Sequence, residues 1–202
     1  MLLAAIGCLA VVVYVGIRTH NLRGPSGLDL RTARPVFWQV LGFSVVSTRA
    51  AIRYEQLGSA VPFALLVAGL VGVAALMKDW VSVLVALAGP ASALVLTEYL
   101  FKPLFGRSAG HNYSFPSGHT AALTALAAVM VLLAARRWGR KGAAVAVPLG
   151  SLISGLMVLT VVRLRYHFMS DALAGALLGI ATVLAAALVA SHLFERFGRQ
   201  PA

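Results

Sequence analysis

The chain has 202 residues, 60% of them hydrophobic and 11% charged, and a formal net charge of +11. A soluble domain is closer to half apolar and about a quarter charged, so this composition excludes water as the main solvent. The basic residues fall in the gaps between apolar runs, with no aromatic interleaving, which points to anionic lipid headgroups and away from nucleic acid as partners.

A helix needs about 20 apolar residues to cross the hydrocarbon core. In chain order, six stretches reach or approach that length: Met1 to Ile17, Ser59 to Met77, Val81 to Phe101, Thr120 to Ala135, Ala143 to Val162 and Ala172 to Ala190. They predict an all-α polytopic membrane protein with six transmembrane helices, forming a single domain over residues 1–202. Met1 to Ile17 lacks the basic start and small-x-small cleavage site of a signal peptide, so it is read as a span. Between the first and second spans, Gly24-Pro25-Ser26-Gly27 reads as a turn. Val36 to Val46, with Arg49, Arg53 and Glu55 after it, reads as helices lying in the interface, with a tilted or broken crossing as the alternative. Cys8 is the only cysteine, which rules out an intramolecular disulfide. Gly175 and Gly179 in the last span form a small-xxx-small pattern suited to close helix packing.

Six crossings put both termini on one side with Lys78 and the Arg136, Arg137, Arg140, Lys141 cluster, and the positive-inside rule makes that side cytoplasmic. Three polar islands at span ends then share the opposite, extracytoplasmic face: Lys102 to Arg107, His111 to His119 and Arg163 to Asp171. Alternation of span direction allows them to converge.

The central island, Phe115-Pro116-Ser117-Gly118-His119, leads directly into an apolar helical run. Pro116 suits a first helical turn, Gly118 permits close approach of a ligand, and the free N–H groups with the positive dipole end make an anion site. Ser117 adds a hydroxyl, and His119 would point into the same pocket. In the third island His167 and Asp171 are four apart, so on one helix their side chains can meet. A carboxylate on one ring nitrogen would fix the tautomer and leave the other as a nucleophile. Lys102 and Arg107, with Arg163 and Arg165, supply cations that suit a bound polyanion. Glu98, four residues before Lys102, reads as its ion-pair partner. The chain's six acids are spread from Asp29 to Glu195, which disfavours a two-metal site, and no cofactor is expected.

These residues resemble the type 2 phosphatidic acid phosphatase superfamily, whose pattern is a Lys/Arg motif, then Pro-Ser-Gly-His, then an Arg, His and Asp motif. The motif core spans about residues 98–175. Pro116-Ser117-Gly118-His119 is complete, as is the His167 and Asp171 end of the third motif. Ala109 and Gly110 stand at the Arg-Pro positions of the first motif, leaving Arg107 as the available arginine. Thr160 and Val161 stand at the Ser-Arg positions of the third, with Arg163 or Arg165 as the substitute.

The resemblance implies a metal-independent hydrolase of lipid phosphates. His167 would attack phosphorus and Asp171 would stabilise the imidazolium. Lys102, Arg107, Arg163, Ser117 and the Gly118 amide would hold the equatorial oxygens, and His119 would protonate the leaving oxygen. A lipid phosphatidate, phosphatidylglycerophosphate, or polyprenyl phosphate or diphosphate would serve as substrate. A lipid phosphotransferase and an inactive lipid-phosphate-binding membrane protein are the alternatives.

Overall fold

The computed structural model describes residues 1–32, 47–109 and 112–197. In chain order they form α1 (Leu2–Thr19), α2 (Gly27–Thr32), α3 (Thr48–Glu55), a 3-10 turn (Gln56–Gly58), α4 (Ala60–Leu76) and α5 (Trp80–Val95). A π-helical stretch (Leu96–Phe101) leads to α6 (Lys102–Phe105), the short strands β1 (Ser108–Ala109) and β2 (Asn112–Tyr113), then α7 (Gly118–Arg163) and α8 (Met169–Phe197). The two strands pair antiparallel, Ser108 opposite Tyr113, and the rest of the described architecture is helical. Val36 to Val46, read above as part of an interfacial helix, and His111, the start of the second polar island, lie outside the described residues.

Four helical stretches are long and apolar enough to cross a membrane: Leu2–Thr19, Trp80–Phe105, Gly118–Arg163 and Met169–Arg196. A fifth candidate is the pair Thr48–Gly58 and Ala60–Leu76, bent by 62°. The fourth and fifth predicted spans are merged in α7, whose 46 residues would extend about 69 Å if straight, roughly twice the hydrocarbon thickness. It is not straight. Gly139 adopts φ 60° and ψ −142°, a conformation open to glycine, and the chain reverses there. The two arms then pack side by side: a Cβ on Gly142 would lie 2.2 Å from the Ala134 carbonyl oxygen, and one on Gly150 would lie 3.2 Å from Val131 Cγ2.

The basic run Arg136 to Lys141 sits at this reversal. Arg136 Nε donates to Asp79 Oδ2 at 2.8 Å, and Asp79 also caps α5 by accepting from the Ser82 amide at 3.2 Å. The Arg136 hydrogen bond outweighs the effect of burial and holds the Asp79 carboxyl at about 2.

α8 is the central helix, packed against α1, α5 and α7. Gly175 and Gly179 make this possible, because a Cβ at either would lie within 2.4–2.5 Å of the Ser117 or Ala121 carbonyl oxygen on α7. One core cluster joins Val85, Ala125 and Val183, and another joins α1 to the site region through Val12, Phe105, Phe115 and Leu178. Large apolar side chains also cover the outside, with Leu3 and Leu76 more than four-fifths exposed (85% and 87%). Such a surface fits contact with acyl chains better than contact with water.

Candidate active site

A cavity of about 540 Å³ opens where the three polar islands meet. α6 contributes Lys102, the strands contribute Ala109, Asn112 and Tyr113, the first turn of α7 contributes Gly118 and His119, and the loop before α8 contributes Arg165, Tyr166 and His167. α7 starts at Gly118 with Ser117 as its cap, and the Ser117 hydroxyl oxygen accepts from the Thr120 amide at 3.4 Å and from the Thr120 hydroxyl at 3.1 Å. Pro116 therefore precedes the cap and is not in the first helical turn. Ser117 is fully buried and committed to capping, while the Gly118 backbone borders the cavity. A Cβ on Gly118 would lie 2.8 Å from Glu98 Oε1, which puts the Gly118 backbone directly beside that carboxylate.

His167 Nδ1 lies 2.8 Å from the Ser114 carbonyl oxygen. A carbonyl only accepts, so Nδ1 carries the hydrogen and Nε2 keeps its lone pair. Burial of the ring lowers the His167 pKa to about 4, Lys102 and His119 add to the shift, and the Ser114 bond partly opposes it. The imidazole is neutral at pH 7.

Asp171 does not sit on that ring. α8 begins at Met169, which leaves His167 in the preceding loop, so the four-residue spacing does not place the two side chains on one helical face. Asp171 Oδ2 instead accepts from the Phe168 amide at 3.1 Å, and Oδ1 accepts from Arg107 Nη1 at 2.5 Å. Asp171 fixes the loop that carries His167; the tautomer is set by Ser114.

Arg107 is also placed differently from the expected phosphate ligand. Its side chain is 0% exposed and lies behind the cavity wall. Nη1 also donates to Ser170 Oγ at 2.6 Å, Nη2 donates to Asp29 Oδ2 at 2.6 Å and to the Gly24 carbonyl at 3.2 Å, and the guanidinium stacks 4.5 Å over the Phe168 ring. Burial would push the Asp29 carboxyl up, but hydrogen bonds from Ser26, the Ser170 amide and Arg107 hold it below its usual value. The Arg107 carbonyl accepts from the Ser114 amide at 2.8 Å, and the Asp171 carbonyl from the Ser117 amide at 3.0 Å. One buried cation thus ties α2, the Ser114 strand end, the α7 cap and the α8 start together.

Among the described residues, Lys102 and Arg165 are the lysine and arginine that line the cavity. Lys102 Nζ meets Glu98 at 2.6 and 2.8 Å, the ion pair expected from their spacing. Arg165 is exposed, adopts φ 59° and borders the cavity, whereas Arg163 donates to Thr48 Oγ1 at 3.0 Å. Of the two arginines left open by the sequence, Arg165 borders the cavity. Three participants carried no clear sequence signal: Asp29, the Ser114 carbonyl, and Glu55, whose Oε1 lies 2.9 Å from His119 Nε2.

The profile of the PAP2 superfamily matches residues 57–195. The chain belongs to the PAP2 superfamily. In fold it is similar to a crystal structure described as the first transmembrane PAP2 type phosphatidylglycerolphosphate phosphatase from Bacillus subtilis, at TM-score 0.70 and 17% identity over 98% of each chain. No curated protein matches the chain.

Membership of the PAP2 superfamily and the apolar helices together make this an integral membrane hydrolase of the lipid phosphatase class. The PAP2 match begins at Leu57, so Glu55 and Asp29 lie ahead of it although both reach the site region. At the positions where the PAP2 pattern carries arginines, Ala109 borders the cavity and Val161 is buried in the core.

Proposed function

We propose that the protein hydrolyses phosphate monoesters or diphosphates of membrane lipids through a phosphohistidine on His167, without a metal. Nε2 attacks phosphorus in line, forming an N–P bond as the P–O bond to the lipid breaks. His119 gives its proton to the departing oxygen. Water then attacks phosphorus, His119 takes a proton from it, and the N–P bond breaks to release phosphate. Lys102, Arg165 and the Gly118 amide hold the equatorial oxygens, where charge is spread in the transition state.

The observation that carries this reading is His167 Nδ1 on the Ser114 carbonyl, with a neutral ring that shares the cavity with His119. A lipid substrate is supported by a second cavity of about 240 Å³ lined by Leu66, Leu70, Leu123, Met130 and Ile153. Tyr54 and Leu57 border it, while Gly58, next in the same segment, borders the first cavity. A headgroup in one and an apolar tail in the other would be held by the same turn. The diagnostic experiment is phosphate release by purified protein in micelles from phosphatidate, phosphatidylglycerophosphate and a polyprenyl diphosphate, with H167A as the control.

Six crossings follow if α1, the bent α3–α4 pair, α5–α6, each arm of α7, and α8 each span once. The first arm of α7 covers about 30 Å between His119 and the Gly139 reversal. That separates the cavity from the Arg136 to Lys141 cluster by a membrane thickness and supports an extracytoplasmic active site in a bacterial cell membrane. A second reading, lipid-phosphate binding without turnover, is favoured by Ala109 and Val161 at the arginine positions. Binding of a lipid phosphate with no phosphate release would establish it.

A further inference from the structure

Glu55 ends α3, a helix held on both sides of that residue. Tyr54 Oη donates to the Ile153 carbonyl at 2.8 Å on the second arm of α7, and Gly58 rests on His119 so closely that a Cβ would lie 2.6 Å from Cδ2 of the ring. Between these anchors Glu55 Oε1 lies 2.9 Å from His119 Nε2, with the carboxylate 18% exposed and the ring 31%. The other charged and titratable groups on this cavity are Glu98 from the π-helical stretch, Lys102 from α6, Tyr113 from β2, and Arg165, Tyr166 and His167 from the loop before α8. Glu98 is taken by Lys102. Glu55 is therefore the carboxylate that the fold brings onto His119.

We infer that Glu55 is a positioning residue for His119: it accepts a hydrogen bond from Nε2–H and stabilises the imidazolium, so that Nδ1–H delivers the proton to the leaving oxygen. The inference rests on the hydrolase reading above. An orienting carboxylate on a catalytic histidine matters most when a proton must be given to a poor leaving group. A nitrophenolate leaves without that help, whereas a lipid alkoxide does not.

The test compares wild type, Glu55→Gln and Glu55→Asp in micelles on p-nitrophenyl phosphate and on phosphatidate. With Glu55→Gln, kcat/KM, which reports phosphoryl transfer to His167, falls about 10- to 100-fold on phosphatidate and stays within about threefold on the nitrophenyl ester. The alkaline limb of the phosphatidate profile also moves to lower pH. Glu55→Asp, which keeps the charge but draws the carboxylate back from Nε2, gives the same leaving-group dependence to a smaller degree and serves if the glutamine variant does not fold. Equal losses of kcat/KM on both substrates, or an unchanged kcat/KM on phosphatidate with an unmoved alkaline limb, would overturn the role of Glu55. Wild-type protein that turns over neither substrate would overturn the hydrolase reading, and this inference with it.

Discussion

Arg107 and Asp171 form a fully buried ion pair, Nη1 to Oδ1 at 2.5 Å, and the same guanidinium holds Asp29 at 2.6 Å. Removing one partner of a buried pair leaves the others uncompensated and costs about 3–5 kcal/mol. Arg107→Gln is therefore expected to lower the unfolding midpoint sharply in detergent, and Asp29→Asn to do so less. A stable Arg107→Gln protein with weakened phosphate or vanadate inhibition would show instead that Arg107 is a phosphate ligand.

The cations at the cavity lead to a second expectation. A charge-assisted hydrogen bond is worth about 1.5–3 kcal/mol, roughly 10- to 100-fold in binding. Arg165→Ala should weaken vanadate inhibition by that factor. Arg163→Ala, which removes a bond to Thr48, should leave inhibition nearly unchanged. The opposite ranking in an inhibition titration would return the phosphate clamp to Arg163.

His167 sets the acid side of the pH response. Its pKa is depressed from 6.5 to about 4, so the folded ring stays neutral while an unfolded one takes up a proton. The stability tied to this group is complete above about pH 6.5 and is lost as pH falls toward 4. NMR titration of ring-labelled histidine should find His167 neutral at pH 5.5. A midpoint near 6.5 would contradict the burial that the site assigns to it.

How much of this was legible in the sequence depended on whether the interaction was local. The apolar runs announced the helices, Gly175 and Gly179 announced a close helix contact without naming its partner, and Glu98 with Lys102 followed from their spacing. The reversal inside α7 was legible as the basic gap between the fourth and fifth apolar runs, but its pivot at Gly139 was not. The link from His167 to Asp171 was not. The spacing of four holds on a continuous helix, but α8 starts only at Met169. Arg107 meets Asp29 from 78 residues away, and Glu55 reaches His119 only because α3 bends back from α4. No local pattern encodes these contacts. The positive φ of Arg165 was equally hidden, because arginine is not a residue that signals a left-handed turn.

Among the described residues no three His, Cys, Asp or Glu side chains gather in a group that could hold a metal ion. The proposed chemistry requires none. Chelators are expected to leave phosphate release intact, and vanadate, which mimics five-coordinate phosphorus, to abolish it. Activity that vanishes with a chelator and returns with magnesium would require a different scheme.

The most direct test of the account is capture of the covalent intermediate. Purified protein is mixed with a ³²P-labelled lipid phosphate, quenched in alkali within the first turnover, and mapped by proteolysis and mass spectrometry. The account predicts phosphate on His167, none in His167→Ala, and accumulation in His119→Ala with a good leaving group. Full turnover by His167→Ala, or label on another residue, would contradict it.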